Sequence, residues 1–358
     1  MKLKFEANQG YQLEAMQAIV DVFEGQPLES GDFEVEMTPF SDQLQIGNEL
    51  LVGNRLALEE ATILKNTQGV QRRFNGIHQK KNTETGETFC TLKVTDKLDG
   101  MHFSVEMETG TGKTYVYLRA IHEMYAKYGF KKFIIVVPSI AIKEGVIKNL
   151  EITKEHFSMI YNNPEMDFYV WDSKKRGLAK QFAMTNALQI LVINIDSFAR
   201  DDVIIRQNSD WGVPLDYIQK VKPIVIVDEP QNMETEKRKK GIADLNPLCT
   251  LRFSATHKHP YNLLYKLDPV RAYDLGLVKK IEVDSVFSED AFNEAYLRVL
   301  EIKSKKMQIA AKIERAKIDT RAVARYKKIE VFRYLERSYF SFNLSFPEST
   351  VTSAEVRM

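Results

Sequence analysis

The sequence is poor in cysteine. Of its 358 residues, only Cys90 and Cys249 are cysteines. Two thiols are too few for the disulfide framework of a small secreted domain or for a four-thiolate zinc site. The chain is also long enough to bury a large apolar core, so it needs no covalent staple. We therefore expect a protein of a reducing compartment, of which the cytoplasm is the simplest choice.

Net charge and long apolar runs are lacking as well. The 50 Lys and Arg residues nearly balance the 49 Asp and Glu residues, which leaves a formal net charge of +1. This balance excludes a general attraction to nucleic acid or to a membrane surface, so a local patch would have to hold any polyanion. The sequence contains no run of about 18 apolar residues and no signal-type apolar core at its N-terminus. It predicts no membrane association.

What the chain does contain, over residues 103–256, is an alternation of short apolar runs with amphipathic stretches, within a domain that we expect to span residues 101–283. This pattern predicts an α/β domain in which helices cover both faces of a parallel sheet. Runs of Val, Ile and Leu without polar interruption are typical of strands buried on both faces. The five predicted strands are FSVEM (103–107), FIIVVP (133–138), ILVIN (190–194), PIVIVDE (223–229) and LCTLRFS (248–254). Helical spacing of apolar residues predicts helices over Lys113–Lys127 and Ala141–Leu150.

The rest of the chain divides by composition. Residues 1–29 form an N-terminal segment, and residues 30–100 carry turn sequences with no strong period, which predicts an insertion before the first core strand. Residues 284–338 are rich in charge, and Ile309, Ile313 and Ala316 lie at helical offsets, so we expect a charged helical extension. Residues 339–358 shift abruptly to Ser, Thr and Phe and form an atypical tail, as in a truncated or frameshifted product.

The stretch METGTGKT (107–114) ends like a phosphate-binding loop, although Met107 stands where the usual pattern has its first glycine. It lies between a predicted strand and a predicted helix, where glycines let backbone N–H groups converge on phosphate oxygens and the helix N-terminus adds partial positive charge. Lys113 would reach the β and γ phosphates, and Thr114 would bind Mg²⁺. The predicted ATP contacts here are Thr109, Gly110, Thr111, Gly112, Lys113 and Thr114. A glycine-rich strand-to-helix turn without a nucleotide is the alternative.

A second phosphate-transfer element follows another predicted strand, in PIVIVDEPQ. Asp228 is the candidate Mg²⁺ ligand, and Glu229 is the candidate catalytic residue that orients or deprotonates the attacking water, together with Lys113 at the phosphates. A solvated acidic turn is the alternative. In FSATH, Ser254, Ala255 and Thr256 are candidates for coupling the γ-phosphate to movements elsewhere, although a plain Ser/Thr turn would have the same sequence.

The order METGTGKT, VVPSIAIKEG, DEPQ and SATH resembles the first motor domain of superfamily 2 helicases, and most closely the restriction (Res) subunit of type III restriction-modification enzymes. The resemblance spans Phe5 to Val283. It implies a RecA-like fold in which Met107 is the last residue of a strand. It also implies that YQLEA recognises adenine through Gln12, for which a surface position on an amphipathic helix is the alternative. Ser139 and Lys143 in PSIAIKEGV would contact DNA phosphates without reading sequence.

The same resemblance implies a function. A Res subunit uses ATP and Mg²⁺, acts on double-stranded DNA as a type III site-specific deoxyribonuclease, and restricts foreign DNA with a modification (Mod) methyltransferase that recognises the site and uses S-adenosylmethionine. The arginine-rich motif of a second motor domain is not recognisable after Val283. We therefore expect an N-terminal portion of a Res subunit that binds ATP, hydrolyses it slowly and does not cut DNA alone. A stand-alone DNA-stimulated ATPase or helicase, and a remnant without turnover, are the alternatives.

Overall fold

The computed structural model describes most of the chain, in eleven stretches. The described residues are 5–28, 31–37, 49–78, 80–81, 88–89, 91–278, 296–305, 308–317, 325–334, 340–342 and 354–356. The chain forms two compact units, Met1–Lys280 and Ile281–Met358. The predicted domain boundary at residues 283/284 and the predicted reduced thiol of Cys90 lie outside the described residues.

A seven-stranded parallel sheet is the centre of the first unit. Its strands are β5 (His102–Met107), β6 (Lys132–Val137), β7 (Met166–Val170), β8 (Leu188–Asn194), β9 (Ile224–Asp228), β10 (Cys249–Ser254) and β11 (Leu263–Leu267). Their order in the sheet is β11-β5-β10-β9-β6-β8-β7, and every adjacent pair is parallel. The five predicted strands are confirmed. The strands β7 and β11, at the two edges of the sheet, were not predicted.

Consecutive residues of the central strands pack into two different apolar clusters. In β6, Phe133 and Ile135 belong to one cluster, whereas Ile134 and Val136 belong to the other. All four side chains are fully buried, and full burial of such a side chain contributes about 1.5–3 kcal/mol. The alternation shows that both faces of the sheet are covered, which explains the uninterrupted apolar runs in the sequence. The RecA-like α/β fold is confirmed.

Eight α-helices are described in this unit. They are α1 (Gly10–Val20), α2 (Glu60–His78), α3 (Lys113–Tyr128), α4 (Ile140–Ile160), α5 (Gly177–Met184), α6 (Pro214–Lys220), α7 (Glu236–Asp244) and α8 (Pro269–Asp274). Short 3-10 turns cover Asp21–Phe23, Ile195–Ser197, Ile204–Arg206 and Pro230–Met233. Two helices were predicted from residue 113 and residue 141, and both are present. In the described part of the chain, no helix is long and apolar enough to cross a membrane.

The segment over residues 30–100 is more ordered than its sequence indicated. It contains the antiparallel pair β1 (Asp32–Met37) and β2 (Glu49–Asn54), the 19-residue helix α2, and the short pair β3 (Lys80–Lys81) and β4 (Thr88–Phe89). The prediction that this segment has no strong period was wrong for α2. This helix buries Ile63, Val70 and Phe74 in the core despite its polar composition. The segment therefore contributes to the packing of the first unit.

Of the predicted charged helical extension over residues 284–338, the described residues 296–305, 308–317 and 325–334 form strands, so the prediction of helix is wrong for them. The second unit contains three antiparallel strands, β12 (Tyr296–Lys305), β13 (Gln308–Lys317) and β14 (Arg325–Tyr334), and a short pair, β15 (Phe340–Phe342) and β16 (Ala354–Val356). Ile309 and Ile313 are four residues apart, which suits a helix, but Ala311 between them also gives the period of two that a strand requires. The register pairs Ile313 with Val299 and with Ile329, and β-branched residues favour strands.

Candidate nucleotide site

The loop between β5 and α3 has the backbone of an anion-binding turn. Gly110 and Gly112 have φ values of 82° and 91°, in the left-handed region that favours glycine. The turn is closed by Thr111, whose hydroxyl and N–H both donate to Glu108 O, at 2.7 Å and 3.3 Å. No side chain caps the N-terminus of α3. Its first N–H groups are thus available to an anion.

Met107 is the last residue of β5, as the sequence indicated, and its side chain is completely buried in the apolar core. Because its side chain points into the core, Met107 does not line the loop. The first glycine of the common pattern is therefore dispensable here, because the close backbone approaches begin at Gly110.

Lys113 is held between the loop and the acidic strand end. Its Nζ donates to Met107 O at 3.3 Å and lies 3.3 Å from Glu229 Oε1. The residue is 8% exposed. A buried ammonium on a flexible stem beside these partners is placed to exchange the Glu229 carboxylate for a phosphate oxygen.

Asp228 ends β9 and is 5% exposed. Burial raises the pKa of Asp228 to about 6, the neighbouring Glu229 acts in the same direction, and Lys113 and Tyr117 oppose it. The Tyr117 hydroxyl donates to Asp228 Oδ2 at 3.4 Å. Burial is also the main cause that raises the pKa of Tyr117 well above its usual value. Tyr117 lies one helical turn beyond Thr114, and sequence reasoning missed it because nothing local to α3 shows that it faces β9.

Glu229 occupies the left-handed backbone region, with φ 54° and ψ 57°, which is uncommon for a residue other than glycine. Its N–H donates to Phe253 O at 2.9 Å, so the end of β9 is tied to β10. The Gln231 amide donates to Glu229 Oε2 at 2.5 Å. The carboxylate therefore has one oxygen on Lys113 and the other on Gln231.

A chain of hydrogen bonds continues from Gln231 to the SATH segment. The buried hydroxyl of Ser254 donates to Gln231 Oε1 at 2.8 Å, and the N–H of Thr256 reaches Ser254 Oγ at 3.1 Å. Ala255 lies between them. The candidate coupling residues are thus linked to the acidic pair through Gln231. The sequence analysis did not assign a role to Gln231, although it belongs to the DEPQ motif and follows Glu229 by two positions.

Gln12 lies against the phosphate-binding loop. Its amide nitrogen donates to Thr111 O at 3.1 Å and to the Tyr11 hydroxyl at 3.3 Å. A Cβ added at Gly112 would come within 2.4 Å of this nitrogen and would displace the Gln12 amide, and the φ of 91° also disfavours a side chain at position 112. A cavity of about 510 Å³ opens beside it, lined by Phe5, Glu6, Gln9, Tyr11, Gln12, Gly110, Gly112, Lys113, Thr114, Tyr115 and Asn149. Thr109, at the outer side of the loop, is exposed.

Ser139 and Lys143 lie elsewhere, at the start of α4. Ser139 caps this helix, because its Oγ accepts from the N–H of Ile142 at 3.3 Å. Lys143 pairs with Glu144 at 3.6 Å and lines a separate cavity of about 780 Å³ with Trp171, Lys175 and others. The structure thus adds a capping role for Ser139 that the sequence analysis did not consider. This larger cavity lacks the converging groups found at the loop, so size alone does not identify the nucleotide site.

The donor set suits a magnesium ion that is shared with a nucleotide. Thr114, in the first turn of α3, and Asp228, at the end of β9, are the two protein oxygen ligands predicted for it. Magnesium typically takes one or two protein ligands and completes its shell with phosphates and water. No group of three or more His, Cys, Asp or Glu side chains that could hold a metal occurs among the described residues. A site with two protein ligands is compatible with that finding.

Comparison with known proteins identifies a family. The family model described as "Type III restriction enzyme, res subunit" matches residues 11–259. The chain is 30% identical over 300 residues to the EcoP15I Res subunit of Escherichia coli, a match that covers 77% of this chain and 28% of that protein. It is also 30% identical over 304 residues to the EcoPI Res subunit of Escherichia phage P1, with the same two coverages, 77% and 28%. The chain thus spans about 28% of the length of these relatives.

Two solved structures show a weaker likeness. The Sulfolobus solfataricus SWI2/SNF2 ATPase core in complex with dsDNA has a TM-score of 0.33 and 14% identity, and the match covers 44% of this chain and 28% of that one. The DUF1998 helicase MrfA has a TM-score of 0.33 and 16% identity, and the match covers 48% of this chain and 28% of that one. Neither likeness is close enough to carry an argument about function.

Proposed function

Because this chain belongs to the family of type III restriction enzyme Res subunits, we propose that it is the part of a Res subunit that binds and hydrolyses ATP. The observation that carries the proposal is the convergence of the 110–114 loop, Asp228 and Glu229 at one end of the parallel sheet, bridged by Lys113. Ligands of open α/β sheets bind at the carboxyl ends of the strands. ATP and Mg²⁺ are the ligands that this arrangement fits.

In the proposed complex, the N–H groups of the loop and of the first turn of α3 bind the phosphates. Gly110 and Gly112 supply the left-handed turns that aim those groups inward. Lys113 leaves Glu229 for the phosphates, while Thr114 and Asp228 hold Mg²⁺. The metal, when bound, neutralises charge that develops on the phosphate oxygens.

The exchange of partners at Lys113 frees a base. In the structure, the ammonium of Lys113 lies 3.3 Å from Glu229 Oε1. A phosphate that takes Lys113 leaves this oxygen as an acceptor for the attacking water. Gln231, still bonded to Oε2, holds the carboxylate in place. Ser254, Ala255 and Thr256 would then sense this rearrangement through Gln231 and couple it to the rest of the motor.

We place double-stranded DNA along the start of α4, where Ser139 and Lys143 would contact phosphates. The site itself would be read by a Mod methyltransferase subunit, which would also hold S-adenosylmethionine. Cytoplasmic restriction of foreign DNA, with site-specific double-strand cleavage, is the activity we propose for the whole enzyme. A stand-alone DNA-stimulated ATPase or helicase, and an inactive remnant, are the competing functions.

The first experiment measures nucleotide binding. A fluorescent ATP analogue should bind the chain in the presence of Mg²⁺, and Lys113→Ala should weaken binding by about tenfold or more, because a charge-assisted contact to phosphate is worth about 1.5–3 kcal/mol. Lys127→Ala is the matched control, since Lys127 lies on the same helix at its far end. Equal affinities of the parent chain and Lys113→Ala would refute the site.

The second experiment tests the wider function. The chain, copurified with a Mod subunit, is incubated with ATP, Mg²⁺ and DNA that carries the Mod recognition site. ATP binding without cleavage is the outcome we propose for these 358 residues alone. Specific double-strand breaks that disappear in Lys113→Ala would show that the chain itself contains the nuclease. ATP turnover stimulated by DNA without any Mod subunit would favour the stand-alone motor.

A further inference from the structure

The segment that joins β10 to β11, residues 255–262, crosses β5 from its end, where His257 N–H donates to Glu106, toward its start, where Asn262 Nδ2 donates to His102 O. The sheet order places β5 between these two strands, and β5 leads directly into the phosphate-binding loop. This segment, which we call the strap, begins with the SATH residues and presents Thr256, Lys258 and His259 to solvent. The strap belongs to no strand and has no ladder of sheet hydrogen bonds, so contacts with side chains must fix its position.

Glu106 lies directly beneath the strap. In the register of the sheet it is paired with Ser254 on one side and with Lys266 on the other. The residue is 7% exposed. A buried carboxylate at a strand end costs free energy unless it is paired and hydrogen-bonded. The partners of Glu106 therefore indicate which segments it positions.

Those partners belong to the strap and to the strand that follows it. Glu106 Oε1 accepts from the backbone N–H of His257 at 3.1 Å, and the same oxygen lies 3.5 Å from His257 Nδ1. Glu106 Oε2 lies 3.7 Å from Lys266 Nζ. Burial acts to raise the pKa of Glu106, but the His257 contacts and Lys266 outweigh it and lower the pKa below its ordinary value.

The imidazole of His257 has a separate peculiarity. Its side chain is only 2% exposed, yet neither ring nitrogen makes a hydrogen bond within the described residues. An unsatisfied buried polar group costs about 1–3 kcal/mol. Glu106 Oε1 lies 3.5 Å from Nδ1, so a small shift of the strap toward β5 would complete this bond.

The nucleotide site is one residue away from Glu106. The carbonyl of the next residue, Met107, accepts from Lys113 Nζ, and the N–H of Glu108 donates to Leu267 O in β11 at 3.0 Å. The base of the phosphate-binding loop is therefore attached to the strand at which the strap ends. If bound phosphates fix the position of the loop, these bonds also fix the positions of Glu106 and β11.

We propose that Glu106 is a positioning residue that joins the strap to the phosphate-binding loop, so that nucleotide binding orders residues 255–262. The inference rests on the proposed ATP site and adds a second connection to it. The first connection, Glu229–Gln231–Ser254, fixes the start of the strap at the acidic pair. Glu106 fixes the strap at His257, next to the phosphate-binding loop. The strap is thereby connected to both halves of the nucleotide site.

The test is hydrogen exchange of the strap amides, measured by mass spectrometry with and without Mg²⁺ and a non-hydrolysable ATP analogue. In the parent chain, saturation with nucleotide should slow exchange in residues 255–262 by about threefold or more. Glu106→Leu, which removes both acceptor oxygens at similar volume, should abolish this slowing. Glu106→Gln, which keeps an acceptor for the His257 N–H, should retain part of it. In both variants, the Kd for nucleotide should stay within about threefold of the parent value, because Glu106 does not line the loop.

Three further variants complete the design. Asp244→Asn breaks an ion pair with Arg206 in the same unit and should leave the slowing intact. His257→Ala keeps the backbone N–H that donates to Glu106 and should retain most of the slowing. Glu106→Ala removes the same acceptor oxygens as Glu106→Leu and decides the question if Glu106→Leu does not fold. Unchanged slowing in Glu106→Leu, or in Glu106→Ala where only that variant folds, would overturn the inference. Absence of nucleotide binding by the parent chain would instead refute the ATP site and the inference with it.

Discussion

Replacing Asp228 with asparagine should make the nucleotide-free protein more stable at alkaline pH while it weakens metal-dependent nucleotide binding. Asp228 is buried, and its pKa in the folded chain is raised from 3.8 to about 6. Below these values the carboxyl group is protonated in both the folded and the unfolded chain. As the pH rises, the unfolded chain releases the proton first, so the folded state loses stability until the pH passes about 6.

The magnitude follows from the size of the shift. Each pKa unit corresponds to about 1.4 kcal/mol, so ionised Asp228 costs about 3 kcal/mol at pH 8 and about half of that at pH 5. In Asp228→Asn, the Tyr117 hydroxyl can donate to the amide oxygen, but the new amide N–H groups lack acceptors, which costs about 1–2 kcal/mol. The variant should therefore gain about 1–2 kcal/mol at pH 8, or roughly 2–3 °C in Tm, and almost nothing at pH 5.

The assay is thermal unfolding of both proteins at pH 5 and pH 8, without nucleotide or metal. Asp244→Asn controls for the general loss of a negative charge in the same unit. Addition of Mg²⁺ and ATP at pH 8 should raise the Tm of the parent chain by more than that of Asp228→Asn, because the variant lacks the carboxylate that we propose as a metal ligand. A Tm difference between the parent and Asp228→Asn that is the same at both pH values would refute the reasoning about burial.

Three other predictions concern the proposed site. Glu229→Gln should bind Mg²⁺ and ATP with near-parental affinity but lower the rate of hydrolysis by about 10²-fold or more, since the water loses its base; failure to bind would mean that Glu229, and not Asp228, holds the metal. Gln12→Ala should reduce the preference for ATP over GTP by about tenfold in competition binding, because a base edge loses its partner, and an unchanged preference would contradict the adenine assignment. Lys143→Ala should weaken DNA binding at all sequences and lower the slope of log affinity against log salt by about 1. A sequence-dependent loss would contradict a backbone contact.

The sequence predicted the centre of the fold because burial on both faces leaves a strong pattern. Strands β6 and β9 have uninterrupted apolar runs, and both were found within one or two residues of their bounds. The edge strands β7 and β11 contain partly exposed positions, such as Asp167 and Lys266, so their runs are interrupted. Edge strands pack on fewer neighbours and carry a correspondingly weaker signal.

The candidate site was predictable in part for a related reason. Lys113, Thr114, Asp228 and Glu229 occur in short motifs whose spacing reflects local chemistry. The links from Asp228 to Tyr117, and from Glu106 to His257, join residues separated by 111 and 151 positions in the chain. Such contacts depend on the order of the strands in the sheet, which a single sequence does not specify. The prediction of a charged helix after residue 284 failed because Ile309 and Ile313 fit the period of a helix, while Ile309, Ala311 and Ile313 also fit the period of two of a strand.

One buried asparagine limits how far this motor domain can be shortened. Asn54, at the end of β2, is fully buried, and its Oδ1 accepts from the N–H groups of Lys131 and Lys132 at 2.8 Å and 3.0 Å. Its amide nitrogen donates to Lys132 O at 2.7 Å, and its own N–H donates to Val221 O at 2.9 Å. A fragment that started at β5 would leave the backbone at the start of β6 without these partners, inside the protein. A minimal ATP-binding fragment must therefore retain the β1–β2 hairpin, although that hairpin contributes no residue to the phosphate-binding loop.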